Sequence, residues 1–303
     1  MSESPRIQSL SMLFLVMAVQ ILALAVTPAI SASENRVFED PASASNPVYY
    51  MLLILAFTAF LLLAIKKNQG WIVSGFIQIA IASSIYYLAV AFMPPIYALL
   101  PTAAALLLIR YYPEWYVIDG LGIAVSAGIS SLFGLSMTVL PALILLVILA
   151  VYDAISVYKT RHMVSLAEGV IRMKAPLLFV VPKSRSYSFR RDQSLFAGPT
   201  GGSQAQGQTG TVPASGKRGA YFLGLGDAII PTILVISANT SLPPGGFLGV
   251  NLPALGAMLG TYFGFLLLMS TSRERPQAGL PFLNSGVILG FLAGCAVAGV
   301  CPV

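Results

Sequence analysis

The chain has 303 residues, 57% hydrophobic and 9% charged, with mean hydropathy +0.83. Water-soluble domains carry roughly 25% charged residues, so a soluble enzyme is excluded. The net charge of +6 comes without an arginine–aromatic pattern, which argues against a nucleic-acid partner.

Apolar runs of about 17–25 residues read as transmembrane helices. The chain offers nine: 10–30, 48–65, 71–92, 95–110, 116–135, 138–158, 220–238, 247–270 and 280–300. The expected fold is therefore an all-α polytopic membrane protein with nine transmembrane helices. The first run also has features of a cleavable leader, with Arg6 before it and small residues up to Ser33 after it. Its apolar stretch is long for a leader, and Glu3 stands beside Arg6, so we expect it to be retained. The fourth run is short and carries Pro101. Residues 116–158 form one apolar stretch, which we divide where Ser and Gly gather around Phe133, at 130–136.

Charge sets the orientation. With the N-terminus cytoplasmic and the C-terminus outside, every Lys and Arg of the seventeen except Arg36 falls on the inner side. The short loop 31–46 instead carries Glu34, Glu39 and Asp40. The organisation read from this is helices one to six in 1–158, a cytoplasmic loop at 159–219, and helices seven to nine in 220–303. In the loop, Met163, Leu166, Val170 and Met173 repeat at the spacing of an amphipathic interfacial helix. LLFVV (177–181), ending at Pro182, suits a strand or a membrane-dipping piece. Residues 197–216 are uncharged Gly, Ser, Gln and Pro and are expected to be disordered. Gly256, Gly260 and Gly264, and then Gly286, Gly290 and Gly294, recur every four residues. Such ladders permit close helix packing within the chain, and a homo-oligomer also stays open.

Chemistry is narrowed by what is scarce. Cys295 and Cys301 do not face each other on a helix, and the lone histidine, His162, belongs in the loop. A His/Cys metal centre and a Ser-His-Asp triad are both excluded, and no glycine pattern calls for a nucleotide cofactor. Of eleven acidic residues, only Asp153 and Asp227 sit well inside hydrophobic segments. Asp119, near the inner end of helix five, reads as interfacial. A carboxyl in hydrocarbon costs several kcal/mol, which marks a functional site by default.

Depth allows the pair to meet. Asp153 is about 9 Å along a helix from Lys159, and Asp227 about 13 Å from Arg218, on antiparallel spans. Two such carboxyls share a proton. One can then activate water while the other polarises a carbonyl, as in aspartic proteases. Gly224 and Gly226 would let another backbone approach, and Pro231 withholds an N–H from the carbonyl of Asp227. The competing reading of the same carboxylates is an ion channel or proton-coupled transporter.

Tyr152-Asp153, followed in the next span by Gly224-Leu225-Gly226-Asp227, resembles the YD and GxGD motifs of the presenilin and signal peptide peptidase family of intramembrane aspartyl proteases. The resemblance extends over the nine-helix plan and the long loop between helices six and seven. It implies catalytic roles for Asp153 and Asp227 and supporting roles for Tyr152, Gly224, Leu225 and Gly226. The family also carries a Pro-Ala-Leu motif at its ninth helix. Literal copies occur at Pro141-Ala142-Leu143 and Pro253-Ala254-Leu255, both toward the outer face. Leu280-Pro281-Phe282-Leu283 opens helix nine from the inner side, with Phe282 in place of the alanine. We carry the motif to Pro281 and Leu283, with Leu280 alongside, as substrate-binding residues.

The expected function is hydrolysis of peptide bonds in transmembrane helical substrates, without metal or cofactor. The partners are those substrates and the lipid bilayer. The single compact chain looks like an archaeal presenilin homologue, which implies a multi-pass protein of an archaeal cell membrane. The charge bias matches the presenilin orientation; signal peptide peptidases resemble the same scaffold inverted. Removing residues 199–216 should leave folded yield and cleavage within about twofold of the intact chain, since the segment offers no core contact. Loss of both on deletion would show that the segment is more than a tether.

Overall fold

The computed structural model describes residues 5–32, 37–38, 40–67, 69–156, 178–183, 187–188, 220–246, 249–271 and 279–300. The calls on His162, on the amphipathic repeat at 163–173 and on 197–216 lie outside the described residues. Among those described, nine helices and one two-stranded sheet are formed. The helices are α1 (Pro5–Ala32), α2 (Asn46–Lys66), α3 (Gly70–Val90), α4 (Pro95–Tyr111), α5 (Trp115–Ser136) and α6 (Val139–Ile155). Strands β1 (Leu178–Pro182) and β2 (Ala220–Gly224) follow, then α7 (Leu225–Ser241), α8 (Leu252–Thr271) and α9 (Gly279–Ala298).

Five helical stretches are long and apolar enough to cross a membrane: Ser9–Ala32, Trp71–Val90, Trp115–Ser136, Leu252–Thr271 and Gly279–Ala298. Four shorter apolar helices accompany them. One of these is α4, which runs through Pro101 unbroken and begins with Pro95 in its first turn, where a missing N–H costs nothing. The outer helices leave large side chains uncovered, among them Leu52, Leu53, Ile79, Leu99 and Leu100. The faces turned into the bundle are covered. In α1, Val16, Val19 and Ala23 are fully buried, and the helix packs on α5 and α7. Thr27 of α1 donates to the Ser131 hydroxyl at 3.2 Å, and Ser131 donates to the Ala23 carbonyl at 2.9 Å.

The break between α5 and α6 falls at Met137–Thr138, just beyond the serine and glycine cluster. Both residues are extended, and their polar groups are taken up by neighbours. Ser237 of α7 donates to the Met137 carbonyl at 2.8 Å, and Thr138 N donates to the Pro41 carbonyl at 2.9 Å. Val37 N donates to the Ser136 hydroxyl at 2.7 Å. A turn inside apolar surroundings is stable only where its backbone groups find such partners.

Of the two readings of residues 177–181, the described part is a strand, Leu178–Pro182. β1 pairs antiparallel with β2, with Phe179 opposite Leu223 and Val181 opposite Tyr221. The fold is helical, as expected, with one small sheet, and one expectation is corrected: residues 220–224 are a strand rather than the first turns of helix seven. The run AYFLG is as apolar as a helix, and short apolar runs do not reveal their own secondary structure. Here both faces of the hairpin are covered. Phe179, Val181 and Leu223 join a cluster with Val16 of α1, Leu225 of α7, Phe265 of α8 and Leu283 of α9. Val180, Ala220 and Phe222 turn the other way, onto Ile118 of α5.

The glycine ladders meet each other. A Cβ on Gly260 would run into the carbonyl of Gly286, and one on Gly290 into the carbonyl of Gly256. At Gly264 the obstacle is the Phe282 carbonyl, at 2.7 Å. Thus α8 and α9 lie antiparallel, backbone against backbone, and the ladders serve packing within the chain. Gly260→Leu should destabilise the protein by at least about 2 kcal/mol, since no flexible side chain can yield. Gly75→Ala in α3, where a Cβ meets nothing within 4 Å, should leave stability unchanged or slightly raised. Thermal unfolding of both purified variants in detergent checks the contrast.

Candidate active site

Asp153 lies in the last turn of α6 and is buried. Its Oδ2 accepts a hydrogen bond from the backbone N–H of Leu280 at 3.2 Å. Leu280 is in the first turn of α9, where helix N–H groups have no partner within the helix and remain available. The next turn is tied to the same helix, because Asn284 Nδ2 donates to the Leu146 carbonyl of α6 at 2.7 Å. Sequence reasoning missed Asn284, although a lone carboxamide one turn past Leu280 in an apolar helix was the available signal.

Asp227 lies in the first turn of α7, and the residues before that helix are extended in β2 rather than helical. Gly224 is the N-cap of α7, with extended dihedrals, which makes Asp227 the third helical residue. From there its carboxylate reaches back and accepts the Gly224 N–H. This is the return half of a capping box. The Asp227 carboxyl also interacts electrostatically with Asp153. The two aspartates are therefore brought together across α6 and α7, which pack against each other and both against α9.

The motif residues have different roles from those their spacing suggested. Gly226 is exposed, and a Cβ there would meet nothing within 4 Å. At Gly224 a Cβ would meet only the Asp227 carboxyl, at 3.4 Å. Among the described residues, no second backbone of this chain lies against either glycine, and Gly226 is left open. Leu225 is buried and faces Gly122 of α5, where a Cβ would come within 3.1 Å of its Cδ2. Tyr152 is half-buried and packs on the core formed by α6, α7, α8 and α9. α7 continues through Pro231 without unwinding, and Thr232 donates its hydroxyl to the Ala228 carbonyl at 2.6 Å.

The three proline sites separate cleanly. Pro141 is buried in the first turn of α6, at the opposite end from Asp153. Pro253 is buried at the start of α8, where it packs against Gly294 near the far end of α9. Pro281 is half-buried in the turn that supplies the Leu280 amide, and Leu283 is fully buried. Asp119, expected at the interface, is buried instead. Its Oδ1 accepts the Val180 N–H at 2.7 Å, because the hairpin covers the end of α5.

Two buried or half-buried carboxyls, each accepting a backbone amide and set against each other among apolar helices, have the arrangement that an aspartyl protease site needs. The sequence model described as signal-peptide peptidase, presenilin aspartyl protease matches residues 12–300, and the chain belongs to that family. It is similar to a solved presenilin family intramembrane aspartate protease in a C222 crystal form, with 32% identity and TM-score 0.66. That match covers 95% of this chain and 99% of the other. A second structure of a presenilin family intramembrane aspartate protease, in a P2 crystal form, matches with 31% identity and TM-score 0.62. It covers 95% of this chain and 97% of that one. No curated protein sequence matches. The chain is thus an intramembrane aspartic protease, and the channel or transporter reading is set aside.

Replacing Leu280 by Pro removes the amide that reaches Asp153 while leaving a residue tolerated in a first helical turn. A hydrogen bond to a charged group is worth about 1.5–3 kcal/mol, so kcat/KM on a transmembrane peptide should fall roughly tenfold or more. Unchanged kcat/KM would show that this bond does not matter to the site.

Proposed function

We propose that Asp153 and Asp227 are the catalytic pair of an endopeptidase that cleaves transmembrane helical substrates near their cytoplasmic ends. The observation that carries this is the placement of both carboxyls at one level of the α6–α7 packing, each with its own backbone donor. In the singly protonated pair, the ionised carboxyl takes a proton from water as its oxygen attacks the scissile carbonyl. The protonated carboxyl donates to the carbonyl oxygen, giving a gem-diol. Collapse of the diol returns a proton to the leaving amine and breaks the C–N bond. No metal or cofactor is needed for these steps.

In this reading the nine helices are nine spans, with the N-terminus cytoplasmic and the C-terminus outside, as the charge bias requires. The uncovered side chains of α2, α3 and α4 face lipid acyl chains. The three shorter helices α4, α6 and α7, of 17 residues each, suit tilted or locally thinned surroundings rather than a full apolar thickness. Helix one stays as part of the core. Substrates present their N-terminus outside, unwind beside Gly226, whose open face leaves room for another chain, and border Leu280, Pro281 and Leu283. Strand-like pairing of the unwound segment with the hairpin is part of the same proposal. The chain is, in this reading, a multi-pass protein of an archaeal cell membrane, which its resemblance to archaeal presenilin homologues supports. With both glycine ladders spent on α8 against α9, they offer no surface for a homo-oligomer.

Asp153→Asn and Asp227→Asn should each lower cleavage by about 10³-fold or more while the purified proteins stay folded. Substantial cleavage by either folded variant would sink the pair. The intact enzyme should show a rate maximum between mildly acidic and neutral pH, falling on both sides as the pair gains or loses its shared proton. A rate that climbs steadily into the alkaline range would contradict a shared proton.

A further inference from the structure

One buried carboxyl that the mechanism leaves unused is that of Asp119. It is buried on α5, one turn from the helix start, and its recorded partner is a backbone amide of β1: Val180 N donates to Asp119 Oδ1 at 2.7 Å. That amide points away from β2. In an antiparallel ladder the residue directly opposite then also turns its polar groups outward, and so do residues two positions away. Phe222 is opposite Val180, and Gly224 is two further along β2. The Gly224 N–H accordingly leaves the hairpin on its other edge, where it meets Asp227. The sheet is thus held between two carboxyls, Asp119 on the β1 edge and Asp227 on the β2 edge.

Other contacts put the same end of α5 under this unit. Gly122, one turn past Asp119, takes the Phe179 ring of β1 and the Leu225 side chain of α7, with a Cβ there only 3.0 Å from the ring. Ile118 packs on Val180, Ala220 and Phe222. Just before α5, Glu114 accepts the Ser188 hydroxyl at 2.7 Å, which ties down the chain beyond β1. The outward-facing positions of β1 are Leu178, Val180 and Pro182; Pro182 has no N–H to offer, and Val180 is the one whose amide Asp119 takes.

We propose that Asp119 is a positioning residue for peptide cleavage, acting through the Val180 amide, the β1–β2 hairpin and Gly224 to set where Asp227 stands against the substrate bond. The proposal rests on Asp227 being catalytic. The role belongs to the acceptor oxygen and not to negative charge, so an asparagine carbonyl can replace it. Loss of the acceptor leaves the hairpin free to shift along α5. The aspartate then meets a spread of backbone bonds, while the surfaces that bind the substrate helix stay in place.

The test uses the full-length purified chain and one transmembrane peptide, with kcat, KM and the cleaved bonds read by mass spectrometry. Asp119→Ala should lower kcat roughly tenfold or more, keep KM within about threefold, and spread cleavage over neighbouring bonds. Asp119→Asn should restore kcat to within about threefold of the intact enzyme and restore the original cleavage position. Gly122→Ala crowds Phe179 and Leu225 without removing a hydrogen bond, and should also spread cleavage. It decides the matter if Asp119→Ala cannot be purified folded. Asp119→Ala or Gly122→Ala with the original rate and a single cleavage position would overturn the proposal, as would an Asp119→Asn enzyme no better than Asp119→Ala. Asp227→Asn in the same assay keeps the two ideas apart: its inactivity alongside a fully active Asp119→Ala would reject only the positioning role. Activity of Asp227→Asn would reject the catalytic pair itself.

Discussion

A carboxyl with little or no water around it must find its hydrogen-bond donors in the protein, and in this chain it finds them on backbone amides. Asp153 takes the Leu280 N–H, Asp227 the Gly224 N–H and Asp119 the Val180 N–H. Each amide sits where a regular element leaves it unspent: the first turn of α9, the N-cap of α7 and the outer edge of β1. Helix interiors cannot supply such donors, because their N–H groups are committed to the preceding turn. The need for free amides at membrane depth therefore explains why two helix starts and a strand edge converge on one place.

That convergence depends on α9 standing at the right height, and the glycine ladders provide it. Gly256, Gly260 and Gly264 interlock with Gly286, Gly290 and Gly294 at the level of the main chain. Asn284 adds a lateral tie to α6 one turn beyond Leu280. On the other side of the site, α5 carries the hairpin through Asp119 and Gly122. α7 packs against both α5 and α6, which sets Asp227 between the two supports.

Much of this could be read from the residues alone, for a physical reason. A charge in an apolar run is so costly that Asp153 and Asp227 announce themselves, and depth counting alone separates Pro281 from Pro141 and Pro253. The glycine spacing likewise spoke directly of close packing. The hairpin was harder. LFVV stood out as a strand candidate, yet AYFLG merges in composition with the helix that follows, and only its partner across the loop makes it a strand. The error carried over to Asp227, whose distance from the loop was counted in helical steps. Asp119 was misjudged because position along a helix tells depth but not cover. Four residues from the start of α5 would be the interface, were β1 not lying across it.

The α8–α9 contact has a mechanical consequence. Side-chain interfaces absorb small displacements by rotamer adjustment, but backbone pressed on backbone has no such compliance. The two helices therefore form a single stiff lever about 30 Å long. Its far end is the seat of Pro253 against Gly294, and its near end is the Leu280 amide on Asp153. A displacement of the far end is therefore carried along the pair toward the Leu280 amide, and with it toward Asp153.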